Sequence, residues 1–317
     1  MKNLRGKAAL LIILGLAIFL AKFDLSLTQA QNSNLVTVYF FDVGQGDSIF
    51  IDTNGKDMLI DGGRRGAGLT VMNYLSELDV SHLDIVVATH PDADHIGGLI
   101  TILNSSITVD MVLYNNQTSD TKTYWDFMDL AENKIVIAER GQIYVLDQDV
   151  NFTVLNPVQP LEFSKENSNS IVLRLQAGNV SFLFTGDATF ETEESMINAG
   201  LNLESQVLKV AHHGSKYSTS TEFIEAVNPT YAVISVGENP YGHPSPETIQ
   251  RLLNAGVIIY STQVSGTIII STDGQAITIH GNPTPIPEPT PTLLPGLISV
   301  IISLILILRK NNKYFKF

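Results

Sequence analysis

Between the apolar run Asp84-Ile85-Val86-Val87-Ala88 and a helical pattern starting near Ala93 lies Thr89-His90-Pro91-Asp92-Ala93-Asp94-His95-Ile96-Gly97-Gly98. Four potential metal ligands, His90, Asp92, Asp94 and His95, fall within six residues. A regular helix cannot aim them at one point, because neighbours one or two apart diverge around its axis. A loop leaving the end of a buried strand can. Bringing two carboxylates and two imidazoles together out of water is costly unless cations compensate. The segment therefore predicts a strand, a ligand-bearing loop and a helix. Its oxygen and imidazole donors suit zinc, manganese or iron. The chain has no cysteine, which excludes disulfides, thiolate metal sites and a cysteine nucleophile.

Two further apolar runs end in the same kind of residue. Phe182-Leu183-Phe184-Thr185-Gly186-Asp187 delivers a carboxylate at a strand end. Val207-Leu208-Lys209-Val210-Ala211-His212-His213-Gly214-Ser215 delivers two imidazoles. Each alone is equally well read as a helix-capping Asp or a satisfied histidine. Three strand ends carrying His and Asp together point to one shared site.

The body runs from about Asn34 to Gly281. Short β-branched and aromatic runs at Val36–Phe41, Ser48–Ile51, Met58–Ile60, Ile85–Ala88, Ser170–Leu175, Val180–Phe184, Gln206–Val210, Tyr231–Val236 and Gly266–Ile270 predict strands. Helical patterns lie at Leu69–Leu78, Ala93–Leu103, Tyr124–Glu132, Phe190–Ala199, Ser220–Val227 and Ser245–Asn254. Strand pairs early, then strands and helices mixed, predict layered α/β sheets covered by helices. No Pro- or Gly-rich break divides residues 31–281, so one domain is expected. Of the 317 residues, Lys plus Arg number 19 and Asp plus Glu 32, a net charge of -13. Bulk electrostatics therefore do not hold this chain to nucleic acid, although shielding at a local site remains open.

The ends read differently. Residues 1–30 combine a basic start with the apolar run Ala8–Ala21, the pattern of a signal peptide or an uncleaved signal anchor. Either reading places the body outside the cytoplasm. Residues 282–317 contain a Pro/Thr-rich stretch, which favours an extended spacer, then the apolar run Leu293–Leu308 and Arg309-Lys310. That run is slightly short of the ~20 residues that span a bilayer. Pro287-Glu288-Pro289 followed by apolar and basic residues resembles PEP-CTERM-type sorting tails, and a plain membrane anchor fits equally well. The expected partner at both ends is the membrane.

His90-x-Asp92-x-Asp94-His95, Thr185-Gly186-Asp187 and His212-His213, in that order, resemble the metallo-β-lactamase superfamily. Asp92 stands where the second His of the usual pattern falls. Phe41-Asp42-Val43-Gly44-Gln45-Gly46-Asp47-Ser48, Ile60-Asp61-Gly62-Gly63, His212-His213-Gly214-Ser215 and Tyr241-Gly242-His243-Pro244 are similar to the hydrolase domain of ComEC-type competence proteins. The resemblance implies a four-layer αββα sandwich and two divalent metal ions, zinc or manganese. His90 and Asp92 would bind the first ion, Asp94 and His95 the second, and Asp187 both. His213, or else His212, would complete the second site. The family's remaining first-site His is missing, and Asn167-Ser168-Asn169-Ser170 occupies its place. Asn169 or water would fill that position.

Two adjacent cations lower the pKa of a bound water, so no side-chain nucleophile is required. Asp94 would orient that water. His243 would polarise the electrophile or protonate the leaving group. Arg64, Arg65 and Lys216 flank the motif loops and offer either a phosphate site or ordinary surface charge. Asp42 and Asp47 flank a Gly-rich turn, where turn capping and function are equally open. The glycines of residues 62–68 do not have dinucleotide-loop spacing. Three functions remain: an exported phosphodiesterase or nuclease, a hydrolase of lactone, thioester or β-lactam bonds, and a non-catalytic surface module.

Overall fold

The computed structural model of the chain describes residues 35–287. The apolar terminal runs and, from Glu288 onward, the sorting-tail pattern lie outside the described residues. Among the described residues, no helix is long and apolar enough to cross a membrane.

Two mixed sheets face each other. The first holds β1 (Val36–Phe40), β2 (Ile49–Thr53), β3 (Met58–Ile60), β4 (His82–Ala88), β5 (Thr108–Tyr114) and β6 (Ile135–Ile137), with β14 (Ile268–Thr272) and β15 (Ile277–His280) beyond β1. The second holds β7 (Ile143–Asp147), β8 (Val150–Asn156), β9 (Val172–Ala177), β10 (Val180–Phe184), β11 (Val207–Lys209), β12 (Tyr231–Ile234) and β13 (Ile258–Ser261). Strands β3 to β6 run parallel, and so do β10 to β13. The remaining pairs are antiparallel hairpins and meanders.

Period-two alternation sorts the side chains into layers. Val38, Ile51 and Val87 from the first sheet meet Phe152, Leu173 and Phe182 from the second in the core between them. Each such buried side chain contributes roughly 1.5–3 kcal/mol. On the other face of the first sheet, Leu59, Val86 and Val112 pack against Val71 and Leu75 of α1 (Gly68–Glu77), Ile102 of α3 (Leu99–Leu103) and Phe127 of α4 (Lys122–Ala131). Helices α5 (Phe190–Asn198), α6 (Thr221–Val227) and α7 (Pro246–Asn254) bury Met196, Phe223, Val227 and Leu252 over the second sheet. The result is the expected four-layer αββα sandwich. Helix starts follow their capping residues: Thr121, Ser220 and Ser245 accept from the backbone N–H of Tyr124, Phe223 and Thr248.

One expected helix is divided. The segment 93–103 forms α2 (Ala93–Ile96) and α3, broken at Gly97-Gly98. A Cβ on Gly98 would lie 1.8 Å from the Gly62 carbonyl oxygen, and one on Gly62 would lie 2.6 Å from the Leu99 nitrogen. The two Gly-Gly pairs interlock, with Gly62 N–H donating to His95 O at 2.8 Å and Gly98 N–H to Gly63 O at 2.8 Å. The turn that follows β3 is thus pinned against the ligand loop that follows β4.

Candidate metal centre

In open parallel sheets, ligands gather at the carboxyl ends of strands. Here the ends of β4, β10, β11 and β12 all open onto one site. The loop after β4 carries His90, Asp92, Asp94 and His95. The turn after β10 carries Asp187, and the turn Ala211–Gly214 after β11 carries His212 and His213. Both histidines adopt left-handed backbone, φ 50° and 53°, an uncommon and strained state for such residues. Gly214, at φ +82°, has no room for a Cβ, which would sit 2.6 Å from the Cβ of Pro244. The loop after β12 brings His243 and Tyr241.

Three imidazoles share one arrangement. His95 Nδ1 lies 2.7 Å from Asp61 Oδ2. His90 Nδ1 lies 3.0 Å from Thr89 Oγ1, whose hydroxyl in turn donates to Asp61 at 2.7 Å. His213 Nδ1 lies 2.8 Å from the Ser235 carbonyl, which fixes it as the donor. Each ring's outer nitrogen is thus held in place, and each Nε2 points inward with no hydrogen-bond partner. The inward nitrogens converge on Asp187. Its Oδ1 is 3.3 Å from His95 Nε2, and its Oδ2 is 3.5 Å from His213 Nε2 and 4.0 Å from His90 Nε2. His90 Nε2 is also 3.6 Å from Asp92 Oδ2, and His213 Nε2 is 3.6 Å from Asp94 Oδ2.

These spacings are too long for good hydrogen bonds. They match donors that share a cation, since two atoms each ~2.1 Å from a tetrahedral ion lie ~3.4 Å apart. The atoms of His90, His95 and Asp187 all lie within 4.8 Å of one another, as do those of Asp94, His95 and His213. Buried, oriented and unpartnered imidazole nitrogens around a carboxylate are what a divalent ion requires. The residues present therefore fit the implied pair of cations.

The charges agree with that geometry. Burial works against the charged form of Asp187, but His213, His95 and His212 more than offset it and hold its carboxyl well below the usual range. Burial likewise disfavours a charged His95, yet Asp187 and Asp61 push its pKa well above the ordinary value. Asp92, despite burial, is held down at about 2 by His90 and His95. Burial, together with Asp92, raises the Glu166 carboxyl beside it. His243 goes the other way: burial, then His212 and His213, lower its pKa.

A cavity of about 290 Å³ opens onto the centre, with Asp92, Asp94, Asn167, His212, Tyr241 and His243 on its walls. His212 Nε2 lies 3.6 Å from Asp187 Oδ2 and 3.4 Å from Asn167 Nδ2, so its ring faces this cavity. The structure thus brings His90, Asp92, Asp94, His95, Asp187, His212, His213 and His243 together.

Four expected residues stand elsewhere. Asn169 is buried with its amide donating to Phe163 O, Lys165 O and Gln117 Oε1, while its oxygen accepts from Phe163 N–H. It braces a loop, and Asn167 reaches the centre in its place, 3.4 Å from Asp187 Oδ2. Arg65 is paired with Asp126 of α4. Lys216 lies 5.1 Å over the Tyr217 ring. Arg64 is exposed before the short turn Arg65–Ala67. None of the three cations lines the cavity, so of the two readings left open for them the phosphate site is not assembled there. Sequence reasoning missed the orienting role of Asp61 and the buried pair formed by Asp47 and Lys209. The signal for the pair was a lysine inside the apolar run of β11.

A model of the metallo-beta-lactamase superfamily matches residues 41–238, more than half of the chain. The chain belongs to the metallo-beta-lactamase superfamily. Among its relatives, ComE operon protein 3 of Bacillus subtilis is 32% identical over 252 residues, covering 73% of this chain and 32% of that protein. Competence protein ComA of Neisseria gonorrhoeae is 32% identical over 278 residues, covering 82% of this chain and 37% of that protein. The chain thus spans about a third of the length of these relatives. Among solved structures, CmlA, a diiron beta-hydroxylase from Streptomyces venezuelae, superimposes with a TM-score of 0.50 at 12% identity, over 75% of this chain and 54% of that one. At that identity the likeness concerns the fold alone.

Proposed function

We propose that this metallo-beta-lactamase-superfamily chain is a metal-dependent hydrolase of phosphodiesters, with nucleic acid as the favoured substrate class. The observation that carries the hydrolase reading is the convergence of three oriented, unpartnered Nε2 atoms on Asp187 beneath an open cavity. The similarity to competence proteins supports the phosphodiester reading. The basic start and apolar runs at the chain ends support export and membrane attachment, with the reaction outside the cytoplasm.

His90, Asp92, Asp94, His95, Asp187 and His213 would hold two cations, zinc or manganese. When bound, the cations supply Lewis-acid polarisation of an ester oxygen and make water more acidic. Asp94, on the cavity wall, orients the attacking water and accepts its hydrogen bond. His243 lies on the same wall, and its ring N–H acts as a hydrogen-bond donor to the departing oxygen. His212 and Asn167 border the same cavity and position the substrate. Tyr241 presents an exposed ring at the mouth.

The test is turnover by the purified chain, supplied with manganese or zinc, of bis-p-nitrophenyl phosphate, single-stranded DNA and nitrocefin. Cleavage of the first two without nitrocefin turnover is the expected result. Nitrocefin turnover alone would assign a different bond to the site. Bound metal with no turnover of any substrate would make the chain a binding module.

A further inference from the structure

Lys209 is the inward-reaching residue that the metal-centre reading does not use. Its residue is 1% exposed, its Nζ lies 2.6 Å from Asp47 Oδ2, and it donates to Val210 O at 3.0 Å. Asp47 is equally buried. An unpaired ammonium at such depth is strongly disfavoured, so each charge depends on the other.

The pair spans the seam between the sheets. Asp47 belongs to the loop that joins β1 and β2, and Lys209 is the last residue of β11 in the opposite sheet. The backbone of Asp47 is locked to the first ligand loop and to the turn after β3. Its N–H donates to Asp94 O at 3.3 Å, and its carbonyl accepts from Gly63 N–H at 2.7 Å. A Cβ on the preceding Gly46 would lie 2.3 Å from Asp94 O, so the two loops touch backbone to backbone. The side chain of Asp47 faces the other half of the centre. Its Oδ1 is 3.4 Å from His213 Nδ1 and has no hydrogen-bond partner of its own.

The ligands are divided along the same seam. His90, Asp94 and His95 come from the first sheet, and Asp187 and His213 from the second. Across the seam they face one another at 3.3 to 4.0 Å without good hydrogen bonds. The Ile171 N–H bond to Thr89 O at 2.9 Å joins the sheets beside His90, and the Asp47–Lys209 pair joins them beside Asp94 and His213. Stability alone is a poor reason for the ion pair, since apolar replacements of buried pairs are often neutral or stabilising.

We propose that Lys209 and Asp47 are positioning residues, a clamp that fixes the spacing between the two half-sets of ligands and so sets the cation affinity of the centre. The proposal rests on the metal-centre reading. It assigns the pair no contact with substrate.

The test uses the full chain, with zinc and manganese affinities measured by competition against a chromophoric chelator and thermal stability measured on the metal-free form. The variants are Lys209→Met, Asp47→Asn and the double substitution, which leaves no buried charge alone. The double variant is expected to keep its metal-free melting temperature within about 5 °C and to bind cations roughly 10- to 100-fold more weakly. A folded double variant with wild-type affinity overturns the clamp and leaves a purely structural ion pair. If the double variant does not fold, Asp47→Asn alone, which retains an oxygen for Lys209, decides by the same affinity criterion. A wild-type chain that binds neither ion overturns the metal-centre reading itself, an outcome distinct from failure of the clamp.

Discussion

Asp187→Ala is expected to lower phosphodiester cleavage by on the order of 10³-fold or more, equivalent to ~4 kcal/mol of transition-state stabilisation. The reason is position. Among the described residues, Asp187 is the one carboxylate whose oxygens face His90, His95, His212 and His213 together. Its loss leaves four imidazoles around a gap with no anion at its centre. Bound cation should fall from about two per chain to below one, since neither half-set keeps a shared ligand. The far-ultraviolet circular dichroism should not change, because Asp187 sits in a turn beyond β10 and fills no core. Metal analysis and kinetics on the same preparation separate loss of the centre from loss of the fold. A variant that retains both cations and full turnover would show that Asp187 is not a ligand.

Gly98→Ala is expected to be among the most damaging single-methyl changes outside the ligands. The added carbon would meet the Gly62 carbonyl oxygen at 1.8 Å and its carbon at 2.7 Å. Both are backbone atoms, held by the interlock of residues 62–63 with residues 95–98. No rotamer change relieves that clash, so either the ligand loop or the turn after β3 must move. Overpacking of this kind costs ~3 kcal/mol or more, and displacement of the loop also disturbs the Asp61 bond to His95. The melting temperature should fall by roughly 10 °C or the protein should fail to fold. Gly66→Ala is the matched control: nothing lies within 4 Å of its added carbon and its backbone is not left-handed. Its melting temperature should stay within about 2 °C of wild type. Equal effects of the two substitutions would show that the close approach is not what constrains Gly98.

The ligands were readable because their chemistry is concentrated at strand ends. Four of them share one six-residue stretch, and Asp187, His212 and His213 each follow an apolar strand. Residues acting through distant partners were not. Arg65 pairs with Asp126, 61 positions away, and nothing local to Arg65 marks it as engaged. The sequence offers Asn169 or water for the centre, and Asn167 lies in the same 3₁₀ turn as Asn169. At three residues per turn, positions two apart point in different directions, so only one can face the cavity. Asp47 reads locally as a turn residue, and its partner Lys209 is 162 positions away, so only the folded seam joins them.

The same logic holds for the fold. The sequence predicts one helix over 93–103, and the break falls at Gly97-Gly98, where glycine weakens a helix locally and the Gly62 backbone makes its close approach. Strands β5, β6, β7, β8, β13 and β15 were not apparent from composition. In β7 the burial runs exposed, half-buried, exposed, and Ile143 and Val145 face solvent, so hydrophobicity alone does not reveal which face is inward. In β5, Asp110 interrupts an otherwise apolar run. Pairing with neighbours, rather than local preference, makes these segments strands.

The central claim is that two cations belong among His90, Asp92, Asp94, His95, Asp187 and His213. Its most direct test is the metal content of the wild-type protein, purified without chelator and measured by inductively coupled plasma mass spectrometry. A value near two divalent ions per chain is the result predicted. A chain that carries no divalent metal, and takes up none when zinc or manganese is supplied, would contradict it.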